Sequence, residues 1–474
     1  MQRSLPVLQD DEIRSSINKD GSRNYVHPAD VSGHFTTSRY AAFAVLIVIY
    51  LALPFIEIGG RPAVFLDVVH RRFYLFGAAF NAQDFWLVFF LLTGLAFVLI
   101  VLTTMFGRVW CGYACPQTVF LEGVYRRVER FIEGPRAQRL KRNAGPWTRD
   151  KVFRKTAKHL SFALLAIFMS HFFLSYFVSL PSLVEMIGKS PSVHPEAFAW
   201  MFVMSVVLYG NFAWFREQLC MIICPYGRLQ STMTDRDTLV VGYDALRGEP
   251  RGKKRRGKKG KDAAPKGDCI DCHRCVHVCP TGIDIRNGLQ LECIGCFACI
   301  DACDTVMDKI GKPRGLVRYD SLNGLEGGER KKLLRPRLGL YLGVLTAWAV
   351  GMTFALQSHE LFEANLLRPP GGVPFVVDDG VVQNTVQVHV VNKTDAPRTF
   401  LLVGASDDLE LVVPMPEVTL PGGQSRHVPL LARLPRESLR PGQEIRVEVR
   451  TEGEPTKVLA APFLGPGGGR ASQR

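Results

Sequence analysis

The chain has 474 residues, is 47% hydrophobic and carries a formal net charge of +14. Its basic residues gather in two loops, and the densest run, 251–261, has no interleaved aromatics, so the charge reads as membrane topology rather than nucleic-acid binding. Its twelve cysteines fall in the same two loops, which excludes a disulfide framework and places them in a reducing compartment.

Residues 1–39 form a polar tail of mixed charge, too long for a secretory signal. Five blocks nearly free of charge follow, at 40–56, 85–106, 159–180, 197–215 and 338–356. Each has roughly the 17–25 residues needed to cross ~30 Å of hydrocarbon, so each reads as a membrane-spanning helix. Pro54 and Glu57 truncate the first. The stretch 58–84, with Pro62, Arg71 and Arg72 in an apolar–basic alternation, reads as an interfacial segment outside the cytoplasm.

Loop charge sets the orientation. The segment 107–158 carries thirteen Lys or Arg against four acids, whereas the short loop 181–196 has only Lys189. In the run Arg251–Lys261, eight of eleven residues are basic. This run reads as a solvated linker, with anionic lipid headgroups as its alternative partner. The second and fourth loops and the amino terminus are therefore expected in the cytoplasm, and the carboxyl terminus outside. The protein belongs, on this reading, in a bacterial inner membrane with the lipid bilayer as its first partner.

Two short motifs sit just past the second and fourth spans. Cys111 and Cys115 lie in Arg108-Val-Trp-Cys-Gly-Tyr-Ala-Cys-Pro116, and Cys220 and Cys224 in Leu219-Cys-Met-Ile-Ile-Cys-Pro225. Both read C-x3-C-P, a spacing that places both thiols on one helix face and ends or kinks the helix at the proline. Both spans arrive at the cytoplasmic surface, so the four thiols can converge into one site. Soft thiolates select Cu(I), zinc or iron–sulfur, and Met105 and Met221 could add thioether sulfur. His159 and His171, in the third span, are candidates for a cofactor or proton role.

The fourth loop carries the most specific signal. Cys269, Cys272, Cys275 and Cys279, followed by Pro280, read C-x2-C-x2-C-x3-C-P; Cys293, Cys296, Cys299 and Cys303 repeat the spacing. This is the two-cluster ferredoxin pattern, in which the fourth cysteine of each run ligates the other cubane. The expected ligand sets are Cys269, Cys272, Cys275 with Cys303, and Cys293, Cys296, Cys299 with Cys279, each holding one [4Fe-4S] cluster. Zinc is the competing reading of C-x2-C pairs. Three cysteines per run plus a distal fourth, twice over, argue against it.

Beyond the last span, β-rich runs appear at Val381–Val391, Thr399–Val403, Leu409–Val413, His427–Ala432, Glu444–Arg450 and Lys457–Ala461. Turn signals at Asn392-Lys-Thr-Asp395, Pro421-Gly-Gly423 and Pro441-Gly442 separate them. About seven short strands suggest an immunoglobulin-like sandwich. The expected fold is a multidomain membrane protein: a five-span helical bundle, an inserted two-cluster ferredoxin-like module and a carboxyl-terminal all-β sandwich. Its parts run 1–39, tail; 40–215, spans one to four; 216–250, second C-x3-C-P motif and connector; and 251–267, basic linker. There follow 268–310, the cluster module; 311–337, connector; 338–356, last span; 357–464, outer domain; and 465–474, disordered tail.

The phrases Trp110-Cys-Gly-Tyr-Ala-Cys-Pro-Gln-Thr-Val119, Cys220–Pro225, both ferredoxin runs and Asn392-Lys-Thr-Asp-Ala-Pro397 resemble the FixG/CcoG family of cbb3-type cytochrome c oxidase maturation proteins. The resemblance implies a membrane-bound iron–sulfur oxidoreductase linked to copper supply, acting as a cupric reductase. Copper would then be held near Cys111, Cys115, Cys220 and Cys224 and passed to copper chaperones or oxidase assembly proteins, with an unidentified electron donor. Two other readings compete. A quinol-linked electron conduit is similar to the membrane subunits that feed periplasmic reductases, and an assembly scaffold would use its clusters to sense redox state.

Overall fold

The computed structural model describes residues 25–68, 72–81, 85–252, 267–327, 335–357, 360–369, 371, 373–394, 396–406 and 408–466. Most of the tail 1–39, nearly all of the basic linker and most of the last ten residues lie outside the described residues. The chain forms two units, Met1–Glu57 with Phe90–Val350, and Ile58–Phe89 with Gly351–Arg474.

Five helices are long and apolar enough to cross a membrane. They are α1 (His34–Ala52), α2 (Phe85–Phe106), α3 (Arg149–Leu174), α4 (Pro195–Gly210) and α5 (Pro336–Gln357). Their outward faces are apolar, with Val48, Phe89, Leu92, Leu164, Phe202, Val207, Leu340 and Phe354 all exposed. Such helices satisfy their own backbone groups and present hydrocarbon, the arrangement a bilayer requires.

The helices do not follow the apolar blocks everywhere. α1 starts at His34, ahead of the block at 40, because the Asp301 carboxylate caps it from a distant part of the chain. It accepts from the Phe35 amide at 3.3 Å, the Thr36 amide at 2.7 Å and the Thr36 hydroxyl at 2.6 Å. α3 starts at Arg149, ten residues before its block, where the Thr148 side chain caps the Lys151 amide. Its charged first turns are helical because Lys155 and Lys158 find Glu133 at 2.9 and 3.1 Å. It ends at Leu174 rather than 180, and a separate helix, Leu180–Ile187, opens with Pro181 in its first turn.

In the first unit the connectors on either side of the cysteine runs supply structure of their own. Leu239–Tyr243 and Val317–Ser321 pair antiparallel, with Gly242 opposite Arg318. Val241, Leu316 and Val317 from this ribbon enter one apolar core with Ile285, Phe297, Ile300 and Met307.

In the second unit, the stretch read as an interfacial segment forms a three-stranded antiparallel meander of Val64–Asp67, Arg72–Leu75 and Ala78–Asn81. The apolar–basic alternation there has the period of a strand, and the last two strands turn at Phe76 and Gly77, both with positive φ. Arg72 Nη2 donates to the Gly423 carbonyl at 2.6 Å.

The carboxyl-terminal domain has nine described strands: β1 (Phe362–Leu367), β2 (Val376–Asp378), β3 (Val381–Asn392), β4 (Arg398–Gly404), β5 (Glu410–Val412), β6 (Glu417–Leu420), β7 (Ser425–Pro435), β8 (Glu444–Thr451) and β9 (Lys457–Pro462). One sheet runs β5-β7-β3-β1, with β2 alongside β3; the other runs β6-β4-β8-β9. Burial alternates along β3, and Val386, Val388, Phe400, Leu430, Ile445 and Val447 fill the space between the sheets. Asn392 is buried at the end of β3 and fixes the turn after it: Nδ2 donates to the Ala396 and Leu420 carbonyls, and Oδ1 accepts from the Thr394 amide.

Candidate redox and metal centre

The two cysteine runs repeat in backbone as well as in spacing. Asp271 and His273 in the first run have φ of 53° and 54°, and Gly295 and Phe297 at the matching positions of the second have 64° and 61°. Left-handed residues at these places coil each loop tightly, and a helix follows in each case: Arg274–His277 and Ala298–Lys309. Cys269, Cys272, Cys275 and Cys303 line one void of about 360 Å³. Cys279, Cys293, Cys296 and Cys299 line a second of about 350 Å³, which Cys275 also borders. The distal cysteine of each run thus faces the void formed by the other run.

Among the described residues, no three His, Cys, Asp or Glu side chains are arranged to hold a single metal ion. The donor set fits a larger group instead, with four thiols spread around a void in each case. Burial pushes the Cys275, Cys293 and Cys303 thiols up to about 12, and the Cys296 thiol to about 11. Thiols in such apolar surroundings ionise only when a bound metal centre supplies positive charge. Beside the first void, Arg286 is tied by Asp271, by Asp284 at 2.8 Å and by His273 Nδ1 at 2.8 Å.

The two C-x3-C-P motifs share a local conformation, though not the regular helix their spacing suggests. Cys115 and Cys224 are both extended, with φ of −62° and −63°, and each is the residue before a new helix that opens with Pro116 or Pro225. The proline forbids helical geometry at the residue before it and suits the first helical position, so it starts a helix as well as ending one. Cys111 lies in the short helix Val109–Tyr113 and Cys220 in the π-helical turn Leu219–Ile223.

The four thiols lie near enough to shift one another's ionisation, though among the described residues they are not arranged to hold a single metal ion. Burial pushes Cys220 up to about 12, and Cys115, Cys111 and Cys224 each add to the rise. Cys111 is pushed to about 12 in the same way, by burial and then by Cys115, with Cys224 also contributing. Cys111 Sγ lies 3.8 Å from Oε1 of the buried Gln230, whose Nε2 is 3.3 Å from the Tyr226 hydroxyl; that hydroxyl is 2.5 Å from Thr103 Oγ1. Met105 ends α2 and Met221 lies in the π-helical turn, both half-buried. His159 and His171 have other partners: Tyr209 hydroxyl at 2.9 Å and the Ile167 carbonyl at 2.8 Å.

The thiol site and the second cysteine run are in direct contact. Gly112, inside the first C-x3-C-P motif, packs so closely on Gly295 that a Cβ would run into the Gly295 carbonyl. Cys111 packs against the apolar group of Ile294, Cys296, Ala298 and Ala302. Arg108 bridges the parts, donating to the carbonyls of Leu291, Cys293 (3.0 Å) and Gly227 (3.2 Å). Arg39, at the start of α1, donates from Nε to the Gly112 carbonyl at 2.9 Å. Spacing alone points to neither arginine, because their partners are backbone carbonyls far away in the chain.

A buried ion network holds the second motif. Arg216 has φ 53° and directly precedes Glu217, just past the π-helical turn Asn211–Phe215 that follows α4. It donates to Glu129 at 2.7 Å, while Arg126 pairs with Glu217 at 3.0 Å and with Glu122. Burial pushes the Glu129 carboxyl up, but Arg216, Lys158 and Arg139 outweigh it and hold it well below the usual carboxylate range.

Comparison with known proteins agrees with this geometry. Residues 215–322 match the family model described as a 4Fe-4S dicluster domain, and residues 86–135 a 4Fe-4S binding domain. Residues 352–466 match the IG-like fold at the C-terminal of FixG. The chain is 36% identical over 417 residues to the nitrogen fixation protein FixG of Rhizobium meliloti, covering 80% of this chain and 79% of that one. It is 37% identical over 404 residues to protein RdxA of Cereibacter sphaeroides, covering 80% and 82% respectively. A crystal structure of a FixG-related protein from Vibrio parahaemolyticus aligns with 22% of this chain and 97% of its own, at 17% identity and a TM-score of 0.20. With its iron–sulfur domains and its carboxyl-terminal domain both matched, the chain belongs to the FixG family of iron–sulfur oxidoreductases.

Proposed function

We propose that this chain is an inner-membrane electron-transfer protein that reduces Cu(II) to Cu(I) during assembly of a cbb3-type cytochrome c oxidase. The observation that carries the reading is the packing of Gly112 on Gly295, which joins the four-thiol site to the second cysteine run without an intervening side chain. Cys269, Cys272, Cys275 and Cys303 would hold one [4Fe-4S] cluster, and Cys279, Cys293, Cys296 and Cys299 the other. Bound there, the clusters supply one-electron transfer at potentials set by burial and hydrogen bonding. Copper is the substrate, taking up one electron per ion. Cys111, Cys115, Cys220 and Cys224 offer it soft sulfur, which binds Cu(I) in preference to Cu(II) and so favours reduction. Burial keeps the free Cys111, Cys115 and Cys220 thiols protonated, so binding copper there releases protons.

A second reading has one observation in its favour. The 4Fe-4S binding domain matched at 86–135 includes Cys111 and Cys115, which supports a further iron–sulfur cluster at the four thiols and an electron conduit in place of a copper reductase. Metal analysis separates the two. Under the copper reading the anaerobically purified chain contains about eight iron and about eight sulfide, and it produces Cu(I) from Cu(II). Replacing Cys111 and Cys115 by Ser should leave that iron in place and abolish Cu(I) production. About twelve iron per chain, falling to about eight in the Ser variant, would decide for the conduit.

A further inference from the structure

Beside the second cysteine run, the first unit holds a cleft lined by five arginines: Arg39, Arg126, Arg127, Arg130 and Arg139. Only two carboxylates, Asp30 and Glu122, share the lining. The floor is deeply buried, with Arg39 at 4%, Arg126 at 7% and Arg139 at 2% exposure. Among the described residues, each of the three keeps one buried nitrogen without a hydrogen-bond partner: Nη2 of Arg39, and Nε of Arg126 and Arg139. Arg126 and Arg139 are otherwise spent on Glu122, Glu217 and Glu129, and Arg130 on Asp30 at 2.9 Å. Arg39 and Arg127 are different. Among the described residues Arg39 meets the Gly112 carbonyl and the face of Phe43, and Arg127 lies 3.9 Å over the Tyr40 ring.

Burying a guanidinium without counter-charge is costly, and among the described residues the buried Arg39 has no ion-pair partner, while the exposed Arg127 adds a second unpaired guanidinium. A cleft with this surplus of forked donors suits an oxyanion that accepts several parallel N–H bonds, and phosphate meets that geometry better than any single carboxylate. The lining also includes Val278, Pro280 and Ala298, neighbours of Cys279 and of Cys296 and Cys299, and Arg126 donates to the Pro280 carbonyl at 3.0 Å. We propose that this arginine cleft is a binding site for a phosphate-bearing anion, seated by Arg39 and Arg127 next to the second cysteine run. Two sources share that chemistry. Tyr40 and Arg39 lie in the first turns of α1, so the headgroup of an anionic phospholipid could reach the cleft, as could a soluble phosphate compound.

The test uses the full chain, purified in detergent with its clusters. Native mass spectrometry reads out co-purified phospholipid, and calorimetry of delipidated protein reads out binding of inorganic pyrophosphate. Arg127 is exposed and makes no ion pair among the described residues, so Arg127→Glu should keep the fold and iron content while weakening phosphate binding at least about tenfold, the loss of one charge-assisted contact. Arg39→Gln should act in the same direction, and Lys309→Glu, on the far end of its helix, should change nothing. Retained anionic lipid that is lost in Arg127→Glu assigns the site to a headgroup. Pyrophosphate binding without retained lipid assigns it to a soluble phosphate. Neither signal in the wild-type chain, or signals equal in all variants, overturns the proposal.

Discussion

Glu129 shows how single residues fix the inner surface of this protein. Its carboxylate is 1% exposed and is shared by Arg216, Arg139 and Lys158 at 2.7, 3.2 and 3.6 Å. Removing one member of a buried ion network leaves the others uncompensated, which costs about 3–5 kcal/mol. Glu129→Gln should therefore lower the thermal unfolding midpoint of the full chain sharply, and more than Asp308→Asn, whose pair with Arg314 is on the surface. A second residue gives the network a pH dependence. His27 leaves Nδ1 buried without a partner, and burial pulls its pKa down to about 4, with Arg139 and Arg216 adding to the fall against Glu129 and Glu133. The folded state thus holds His27 neutral while the unfolded chain takes up a proton below its ordinary value of 6.5. Stability is present in full above pH 6.5 and is lost as pH falls from there toward about 4. Unfolding curves recorded at intervals across this window should slope accordingly, and His27→Asn should flatten the slope.

At the scale of elements, what could be read in the sequence was whatever the chain decides locally. The cysteine runs are such a case: their spacing determines which thiols share a void, and Cys303 and Cys279 change partners as the pattern requires. Alternation along Val381–Val391 likewise announced β3, whereas β1, directly after the last span, and the four-residue β6 are too short or too close to other signals to stand out. Hydropathy marked where hydrocarbon is needed, not where a helix begins, so α1 and α3 start earlier, at a distant Asp301 cap and at Thr148. The contact between the C-x3-C-P loop and the second cysteine run depends on two glycines more than a hundred residues apart, and no local pattern reports it. That contact is testable. Gly112→Ala places a methyl group against the Gly295 carbonyl, and Gly295 cannot yield easily, because φ is 64° and Arg108 O lies 2.8 Å from its own Cβ position. The two loops must separate. Under the copper-reductase reading, Gly112→Ala should retain its iron by absorbance and lose at least about tenfold in the rate of Cu(I) production, the effect of misplacing groups by about an ångström. An unchanged rate would show that the loop contact is not the electron route.

The whole molecule is laid out by charge. We propose that the five apolar helices all cross the membrane, so that successive loops alternate sides and the basic residues mark the cytoplasmic side. The segment 107–158 holds thirteen Lys or Arg, and the structure shows why they cannot be exchanged freely: Arg126, Arg139, Lys151 and Lys158 are buried in contacts, not dispersed in solvent. The same side must then receive both C-x3-C-P motifs and all eight cysteines of the two runs, where thiols stay reduced. The β-rich domain after α5 has no cysteine, as suits an oxidising compartment. A reporter active only outside the cytoplasm should therefore work when fused after Gly465 and fail when fused near Lys261. A reporter that works only in the cytoplasm should give the reverse pattern. Were the first reporter active at Lys261, the cysteine runs would lie on the oxidising side, and the supply of electrons from a cytoplasmic donor would fall with the topology.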